Sequence, residues 1–263
     1  MNIWKLNIFV LVILCRELKI KLFKNFCIIS VDKQPGGISK MIESSTEALS
    51  IHSDYVDVFL LDAFLRNKAM SKRFFDIENL HINKIKFIER KLFKLGFFSF
   101  NLKKKIDKAD VLFVHNSSIL KVLRMNFPKK KIILFFHTDK QKQFNHLKYA
   151  DKVLTVNKTM EKKVNDLYSK KAIYLPNSLH QSIKYKAPKL YSKNSNKKNT
   201  LVMGAMGRLV KKKGFEFLIK TCKEIDNLEL LIAGDGDEFN SLKKIADNYK
   251  NIKLLGWINS KDK

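Results

Sequence analysis

The stretch TLVMGAMGRLVKKKGFEFL, residues 200–218, decides the fold class of this chain. Its apolar start, residues 200–206, predicts a short buried strand, which Gly207 interrupts. The basic loop 208–213 follows. After Gly214, apolar side chains recur at the spacing of a helix: Phe215, Leu218, Ile219 and Cys222. The stretch therefore predicts a strand, a loop and the start of a helix in direct succession.

This succession favours an anion at the loop. The first N–H groups of a helix have no partner within the helix, and the helix dipole attracts negative charge to the same end. Arg208 adds a planar fork of donors and Lys213 a point charge. A phosphate group is the predicted ligand. The alternative is that Lys211, Lys212 and Lys213 are ordinary surface in a lysine-rich chain, since glycine-rich loops alone are weak signals.

The rest of the C-terminal segment repeats the same pattern. Residues 227–233 predict a second buried strand, followed by a Gly-Asp-Gly turn at 234–236. Residues 238–248 predict a helix with one apolar face, and residues 251–255 a third strand. Strands and helices that alternate over short connections indicate a parallel sheet covered by helices, which is an α/β fold.

Three segments here, GRLVKKKGFEFLI, LELLIAGDGDE and IKLLGWI, resemble the donor-side domain of GT-B glycosyltransferases of family 4, the glycogen-synthase-like "group 1" type. The resemblance implies two Rossmann-like domains and transfer of a sugar from a UDP- or GDP-linked donor. It implies that Arg208 and Lys213 grip the donor diphosphate and that Gly207, Gly234 and Gly236 form the donor-side loops. Neither a metal ion nor another cofactor is expected, because cationic side chains neutralise the leaving diphosphate.

The N-terminal half begins with a predicted strand at residues 25–31, a Gly36-Gly37 turn and a helix at residues 38–49. Glycine lets the backbone approach a ligand closely, so the turn suits an anion or a sugar. In the family that the chain resembles, a Gly-Gly turn faces the cleft at this point. Gly36 and Gly37 are therefore added to the predicted diphosphate site.

One histidine stands out among the remaining strands, which are predicted at residues 55–61, 111–115, 132–136, 151–156 and 172–176. His137 directly follows the strand 132–136, and open α/β sheets bind ligands at the carboxyl ends of their strands. In enzymes that the chain resembles, a histidine here is catalytic or positions the sugar, so His137 is the predicted catalytic residue. The alternative is a polar residue that merely ends the strand. His115, His146 and His180 receive no role.

The segment 77–101 is rich in lysine and phenylalanine and predicts a helix with Ile85, Ile88, Leu92 and Leu95 at helical spacing. In family 4 enzymes this region forms acceptor-side helices that touch the membrane, and a basic, aromatic helix suits that role. A helix pair packed inside the protein is the alternative.

The composition bounds the class of partner. The chain has 263 residues, 45% of them hydrophobic, which is enough to form two domains. Its formal net charge of +27 favours an anionic partner. A phosphorylated substrate and an anionic membrane surface both fit, while compositional drift in an AT-rich genome would explain the charge without a partner. Nucleic acid is not expected as a partner, because the basic residues are spread out and no nucleic-acid-binding motif is present. A protein that binds nucleic acid through its charge is nevertheless the third alternative for the function.

The three cysteines, Cys15, Cys27 and Cys222, lie far apart in sequence. Without a C-x-x-C spacing they predict neither a metal site nor a disulfide framework. We expect small buried hydrophobic residues in a reducing compartment.

The expected organisation is an apolar and basic extension at 1–24, an acceptor-side Rossmann-like domain at 25–181, a polar linker at 182–199 and a partial donor domain at 200–263. The extension suits an amphipathic membrane anchor or an ordinary tail. Members of the family carry a further acidic P-S-x-x-E-G-F-G segment, so the second domain is expected to be incomplete.

The predicted function is transfer of a sugar to an envelope glycan or a lipid-linked acceptor, in the cytoplasm or on the inner face of the cytoplasmic membrane. The chain without the acidic segment is expected to bind nucleotide weakly and to transfer little sugar. The alternative function is a non-catalytic remnant that binds a membrane or a partner protein through its basic surface.

Overall fold

The computed structural model describes residues 24–32, 37–62, 65, 72–169, 171–176 and 200–258. Gly36, the predicted linker and all but the last residue of the predicted N-terminal extension lie outside these residues. The chain divides into two compact units, Met1–Tyr185 and Lys186–Lys263.

The first unit is built on a parallel sheet of seven strands in the order β3-β2-β1-β4-β5-β6-β7. The strands are β1 Asn25–Ser30, β2 Tyr55–Leu61, β3 Leu80–Ile85, β4 Val111–Val114, β5 Lys131–Phe136, β6 Lys152–Thr155 and β7 Ala172–Tyr174. Every described pair of neighbours is parallel. The central strands are buried along nearly their whole length. Because both of their faces are covered, their sequences are nearly continuous apolar runs and do not alternate between apolar and polar residues.

Helices connect these strands. They are α1 Gly37–Ser50, α2 Lys72–Phe75, α3 Phe87–Lys94, α4 Phe100–Lys108, α5 Leu120–Asn126, α6 Gln141–Phe144 and α7 Lys158–Leu167. Two begin at side-chain caps: Ser99 Oγ accepts from the N–H of Leu102 at 3.4 Å, and Asn157 Oδ1 from the N–H of Met160 at 2.8 Å. The alternation of strand and helix confirms the predicted α/β class.

The strand order places a reversal at the centre of the sheet. From β1 the chain runs outward to β2 and β3, and then returns across the sheet to β4 on the other side of β1. The connections that leave β1 and β4 therefore diverge. In open α/β sheets such a divergence is the point at which a crevice forms at the carboxyl ends of the strands and ligands bind.

The prediction for residues 77–101 is wrong in its first part. Ile85 is the last residue of the strand β3, and the helix α3 starts only at Phe87. Within α3 the buried side chain is Phe93, whereas Ile88 and Leu92 are exposed. The strand was missed because β3, among the residues that the structure describes, lies at the sheet edge with a single neighbour and so needs few apolar residues.

The second unit contains a parallel sheet of three strands in the order β10-β9-β8. Its elements are β8 Leu201–Met206, α8 Phe215–Cys222, β9 Leu228–Ala233, α9 Phe239–Ala246 and β10 Ile252–Gly256. A small core joins the helices to the sheet and includes Leu209, Ile219, Leu230, Ile232 and Leu242. The predicted alternation of strands and helices in this segment is confirmed.

The burial predicted for β8 is wrong. Leu201, Val202 and Met206 are all more than half exposed, although the strand forms as expected. Within the described residues β8 pairs only with β9, so it lies at an edge of the sheet. Apolar sequence therefore predicted the strand correctly and its environment incorrectly.

The cysteines and the question of a membrane-spanning helix can also be compared with the predictions. Cys27 and Cys222 are buried free thiols, as predicted, and burial raises the pKa of the Cys27 thiol; Cys15 lies outside the described residues. No helix within the described ranges is long and apolar enough to cross a membrane.

Candidate functional site

Polar side chains follow the three central strands of the first unit, where each strand ends. Asp32 comes two residues after β1, His115 and Asn116 follow β4, and His137 follows β5. The register brings these ends together, because Ile29 of β1 lies opposite Val114 of β4, the last residue of that strand. The candidate site is thus the crevice at the reversal of the sheet.

Asn116 links the ends of β1 and β4. Its Oδ1 accepts a hydrogen bond from the N–H of Val31 at 2.7 Å, and its Nδ2 donates to Oδ1 of Asp32 at 3.0 Å. The hydroxyl of Ser30 donates to the other carboxylate oxygen at 3.2 Å. Burial raises the pKa of Asp32, although the hydrogen bonds from Asn116 and Ser30 and the charge of Arg90 act in the opposite direction. A carboxyl group is therefore held in place at the crevice.

His137 forms a pair with His115. Nε2 of His137 lies 3.1 Å from Nδ1 of His115, and the two rings are nearly parallel at 8°. The ring of His115 also stacks on Phe135, with 4.6 Å between the ring centroids. His115 is buried and His137 is half-buried.

Both histidines are neutral near pH 7. Burial lowers the pKa of His115 well below its usual range, and the neighbouring His137 lowers it further. Burial lowers the pKa of His137 to about 4. Two neutral rings at hydrogen-bond distance share a single hydrogen between them, so one donates and the other accepts.

The structure places His137 at the predicted strand end, and its catalytic role stays a prediction. Sequence reasoning missed His115, Asp32 and Asn116. A signal for His115 was present, since Phe113-Val114-His115 and Phe135-Phe136-His137 share one pattern on what prove to be adjacent parallel strands. Gly37 begins α1, and a Cβ built there would meet nothing within 4 Å, so space does not require glycine at this position.

We expect the first unit to lose stability as the pH falls below about 6.5. Unfolded histidine has a pKa near 6.5, whereas folded His137 has one of about 4, so between these values the unfolded state binds more protons. The contribution of neutral His137 is complete above pH 6.5 and is lost as the pH falls toward 4. In this range the contribution of His137 to the free energy of unfolding changes by up to about 1.4 kcal/mol per pH unit, which corresponds to one proton taken up on unfolding.

Urea unfolding followed by circular dichroism between about pH 7 and pH 5 measures this slope. The unfolding free energy of the variant His137→Asn should depend less steeply on pH than that of the unaltered chain. The difference in slope should correspond to the uptake of up to about one proton on unfolding. The substitution His52→Gln removes an exposed histidine and is the matched control. Equal slopes for the unaltered chain and His137→Asn would contradict the expectation.

The second unit contains the predicted phosphate loop. After β8 the chain passes through residues 207–210, a turn of 3-10 helix at Lys211–Lys213 and Gly214, and then enters α8. Leu209 is fully buried, and its N–H donates to the carbonyl of Asp235 at 2.9 Å. This apolar anchor holds the loop against the sheet, while Arg208 and the three lysines remain exposed.

Two glycines allow the neighbouring loop to touch this one. Gly234 and Gly236 have φ values of 144° and 154°, in the region that favours glycine. A Cβ at Gly234 would lie 1.9 Å from the carbonyl oxygen of Gly207, and one at Gly236 would lie 2.4 Å from that of Leu209. These two glycines are therefore required by the contact between the loops. Their role toward a ligand stays a prediction.

The start of α8 is open to an anion. Gly214 is the N-cap residue in the left-handed conformation with φ 71°, and it has no side chain that could accept from the first N–H groups of the helix. The acidic residue of the first turn, Glu216, has its carboxylate 2.6 Å from Nζ of Lys220. The roles of Arg208 and Lys213 toward a diphosphate stay predictions.

Replacing Gly234 with alanine should disrupt the loop contact. The new Cβ would collide with the Gly207 carbonyl, and the backbone angle is strained for any L side chain. We expect a loss of stability of more than about 1 kcal/mol, seen as faster hydrogen exchange in β8 and β9. Gly204→Ala is the matched control, because its Cβ would meet nothing within 4 Å. Equal exchange in the two variants would refute the argument.

No group of three or more metal-ligating side chains that could hold an ion occurs among the residues that the structure describes. At the crevice, Asp32 and Asn116 form hydrogen bonds with other protein groups.

Sequence comparison relates parts of the chain to known glycosyltransferases. Residues 188–263 match the protein family described as Glycosyl transferases group 1. A stretch of 62 residues is 37% identical to the lipopolysaccharide core biosynthesis glycosyltransferase LpsD of Rhizobium meliloti (strain 1021). That match covers 22% of this chain and 18% of LpsD, so the chain matches less than a fifth of that relative's length.

Solved structures of glycosyltransferases share the fold over most of the chain. Alr3699/HepE of Anabaena, solved in complex with UDP and glucose, matches with a TM-score of 0.66 and 14% identity, covering 90% of this chain and 70% of that protein. The lipopolysaccharide outer core galactosyltransferase WaaB, in its apo form, matches with a TM-score of 0.57 and 16% identity, covering 90% and 69%. The predicted GT-B type of α/β fold is therefore confirmed at the level of the fold.

Proposed function

We propose that this chain serves a glycosyltransferase that moves a sugar from a nucleotide-sugar to a glycan or lipid-linked acceptor of the cell envelope. The observation that carries the proposal is the loop 207–214, where exposed cationic side chains precede an uncapped helix start. The family match over residues 188–263 includes this loop. LpsD and WaaB act on lipopolysaccharide core by their names, which supports an envelope acceptor.

The chemistry of this transfer requires that the leaving diphosphate be neutralised. In the proposed function Arg208 supplies a planar fork and Lys213 a point charge, and the first N–H groups of α8 add donors of fixed direction. Donors fixed in advance stabilise charge as it develops in the transition state. The donor is a UDP- or GDP-linked sugar; HepE was solved with UDP, which favours testing UDP first.

The first unit supplies the acceptor side in this proposal. His137 and Asp32 lie at the carboxyl ends of β5 and β1, and each is held by neighbouring side chains rather than free to rotate. Groups held in advance orient a sugar hydroxyl without a further loss of entropy. Family 4 membership is part of the same proposal.

Replacing Arg208 or Lys213 with alanine should weaken the binding of UDP or GDP. A hydrogen bond to a charged group contributes about 1.5–3 kcal/mol, which corresponds to roughly 10-fold to 150-fold in Kd. Isothermal titration calorimetry measures this change. Lys220→Ala is the control, because it removes the same charge from a lysine of α8 that is paired with Glu216. Unchanged affinity in both loop variants would rule out the proposed diphosphate site.

We further propose that the first unit binds an anionic membrane surface, where a lipid-linked acceptor would lie. Large apolar side chains are exposed on α3, on the start of α4 and between them: Phe87, Ile88, Leu95, Phe97 and Phe100. Exposed lysines surround them, and Nζ of Lys91 lies 5.2 Å from the centre of the Phe87 ring. Apolar side chains among cationic ones suit the interface of an anionic bilayer. The proposed location is the inner face of the cytoplasmic membrane.

The double variant Leu95→Gln with Phe97→Gln should bind vesicles more weakly. Both side chains are about two-thirds exposed or more, so their loss leaves the core intact while removing apolar area from the interface. We expect co-sedimentation with phosphatidylglycerol-containing vesicles to fall about tenfold. Phe217→Gln, an exposed aromatic residue of the second unit, is the control. Equal binding by the double variant and the unaltered chain would exclude this surface.

A further inference from the structure

We infer that His115 fixes the tautomer of His137, so that His137 presents an N–H donor through Nδ1 rather than a lone pair. His115 is thereby a positioning residue. The meaning of this arrangement for sugar transfer rests on the proposed function, whereas the tautomer itself is a property of the folded chain.

A single hydrogen lies between the rings of His115 and His137. Nδ1 of His115 and Nε2 of His137 are 3.1 Å apart. In a neutral pair, either His115 donates from Nδ1 or His137 donates from Nε2. The choice determines which nitrogen carries the hydrogen at the far side of each ring.

The far side of His115 decides between these two arrangements. Its Nε2 is buried and has no hydrogen-bond partner among the described residues. If His137 donated, the hydrogen of neutral His115 would sit on this Nε2, as a buried N–H without an acceptor. If His115 donates, Nε2 keeps only a lone pair. Orphaned buried N–H groups are rarer in proteins than acceptors that lack a donor, so the second arrangement is favoured.

The stack with Phe135 holds the plane of the His115 ring. The two rings are nearly parallel, at 11°, and their centroids are 4.6 Å apart. A half-turn of the imidazole about its Cβ–Cγ bond would keep this stack but would put Cδ2 in the place of Nδ1 and break the hydrogen bond to His137, so that hydrogen bond fixes which edge of His115 faces His137. The buried Nε2 of His115 then decides which ring donates.

The consequence for His137 follows directly. Its Nε2 accepts from His115, so the hydrogen of the neutral ring lies on Nδ1. No described residue forms a hydrogen bond with that Nδ1. A donor at the carboxyl end of a central strand suits an oxygen of a bound sugar or acceptor. It does not suit the removal of a proton, because Nδ1 has no free lone pair.

Nitrogen-15 NMR of the chain labelled at histidine tests the tautomer without any activity. The shifts of Nδ1 and Nε2 differ according to which nitrogen carries hydrogen, and the His137→Ala variant assigns the signals. We expect His137 to be protonated on Nδ1. Protonation of neutral His137 on Nε2 in the unaltered chain would overturn the inference.

Two substitutions of His115 separate positioning from simple packing. His115→Phe keeps a ring against Phe135 but removes the donor, and we expect His137 to move its hydrogen to Nε2. His115→Asn places an amide nitrogen on Cγ, where the imidazole has Nδ1, and should keep His137 protonated on Nδ1. If His137 has the same tautomer in both variants, His115 does not set it.

The functional consequence is tested by two substitutions of His137 in a transfer assay. Asparagine places an amide donor near the position of Nδ1 and cannot act as a base, whereas glutamine places its amide near the position of Nε2. With a donor role, His137→Asn loses less than about tenfold in kcat, and His137→Gln and His137→Ala lose about a hundredfold or more. Equal losses in the Asn and Ala variants would overturn the donor role. If neither UDP nor GDP binds at the loop 207–214, the proposed function fails, while the NMR result still decides the tautomer.

Discussion

The side-chain amide of Asn116 holds together the point on which the first unit depends, the reversal of its sheet between β1 and β4. The strand order sends the connections that leave these two strands toward opposite sides of the sheet. Asparagine has both an acceptor and donors on one planar group. It can therefore accept from the Val31 N–H and donate to Asp32 at once, which satisfies a backbone donor and fixes a carboxylate with a single residue. Asp32 is thereby held beside the end of β4.

The second unit achieves a similar closeness of two loops by a different means. Where the first unit uses an amide side chain, the second brings bare backbone together at Gly234 and Gly236. The N–H of Leu209 donates to Asp235, and the carbonyl of Leu209 accepts from the N–H of Glu238 at 3.0 Å. A contact made by backbone alone tolerates no side chain. Arg208 and the three lysines of the loop 207–214 are exposed.

Much of the fold followed from local sequence pattern. The buried strands β1, β2 and β5 are mostly apolar runs, and the face of α9 shows a plain helical period, so these elements were predicted within a residue or two. Environment was harder to predict. In the described part of the chain β3 has one neighbour, and only its Ile85 is buried, which leaves little apolar signal, while β8 is apolar yet exposed. A strand's position within its sheet depends on partners that are remote in sequence.

The candidate site shows the same division between local and remote information. His137 could be predicted because its strand and its position at the strand end are local features. Its relation to His115 could not, because the pair forms only when β4 and β5 become neighbours in the correct register. The contact of Asn116 with Val31 spans 85 residues and has no local trace at all.

That long separation also orders the assembly of the first unit in time. Within β1–β3 and within β4–β7, each strand pairs with a neighbour close in sequence, so two half-sheets can form from short loop closures. Joining them requires β1 to meet β4 across the longest closure in the sheet, and contacts of that kind are the slow ones in folding. The crevice is created by this joining step. A newly made chain therefore acquires its secondary structure before the geometry of the crevice, and its two unjoined strand edges are the surfaces that a chaperone would have to shield in the interval.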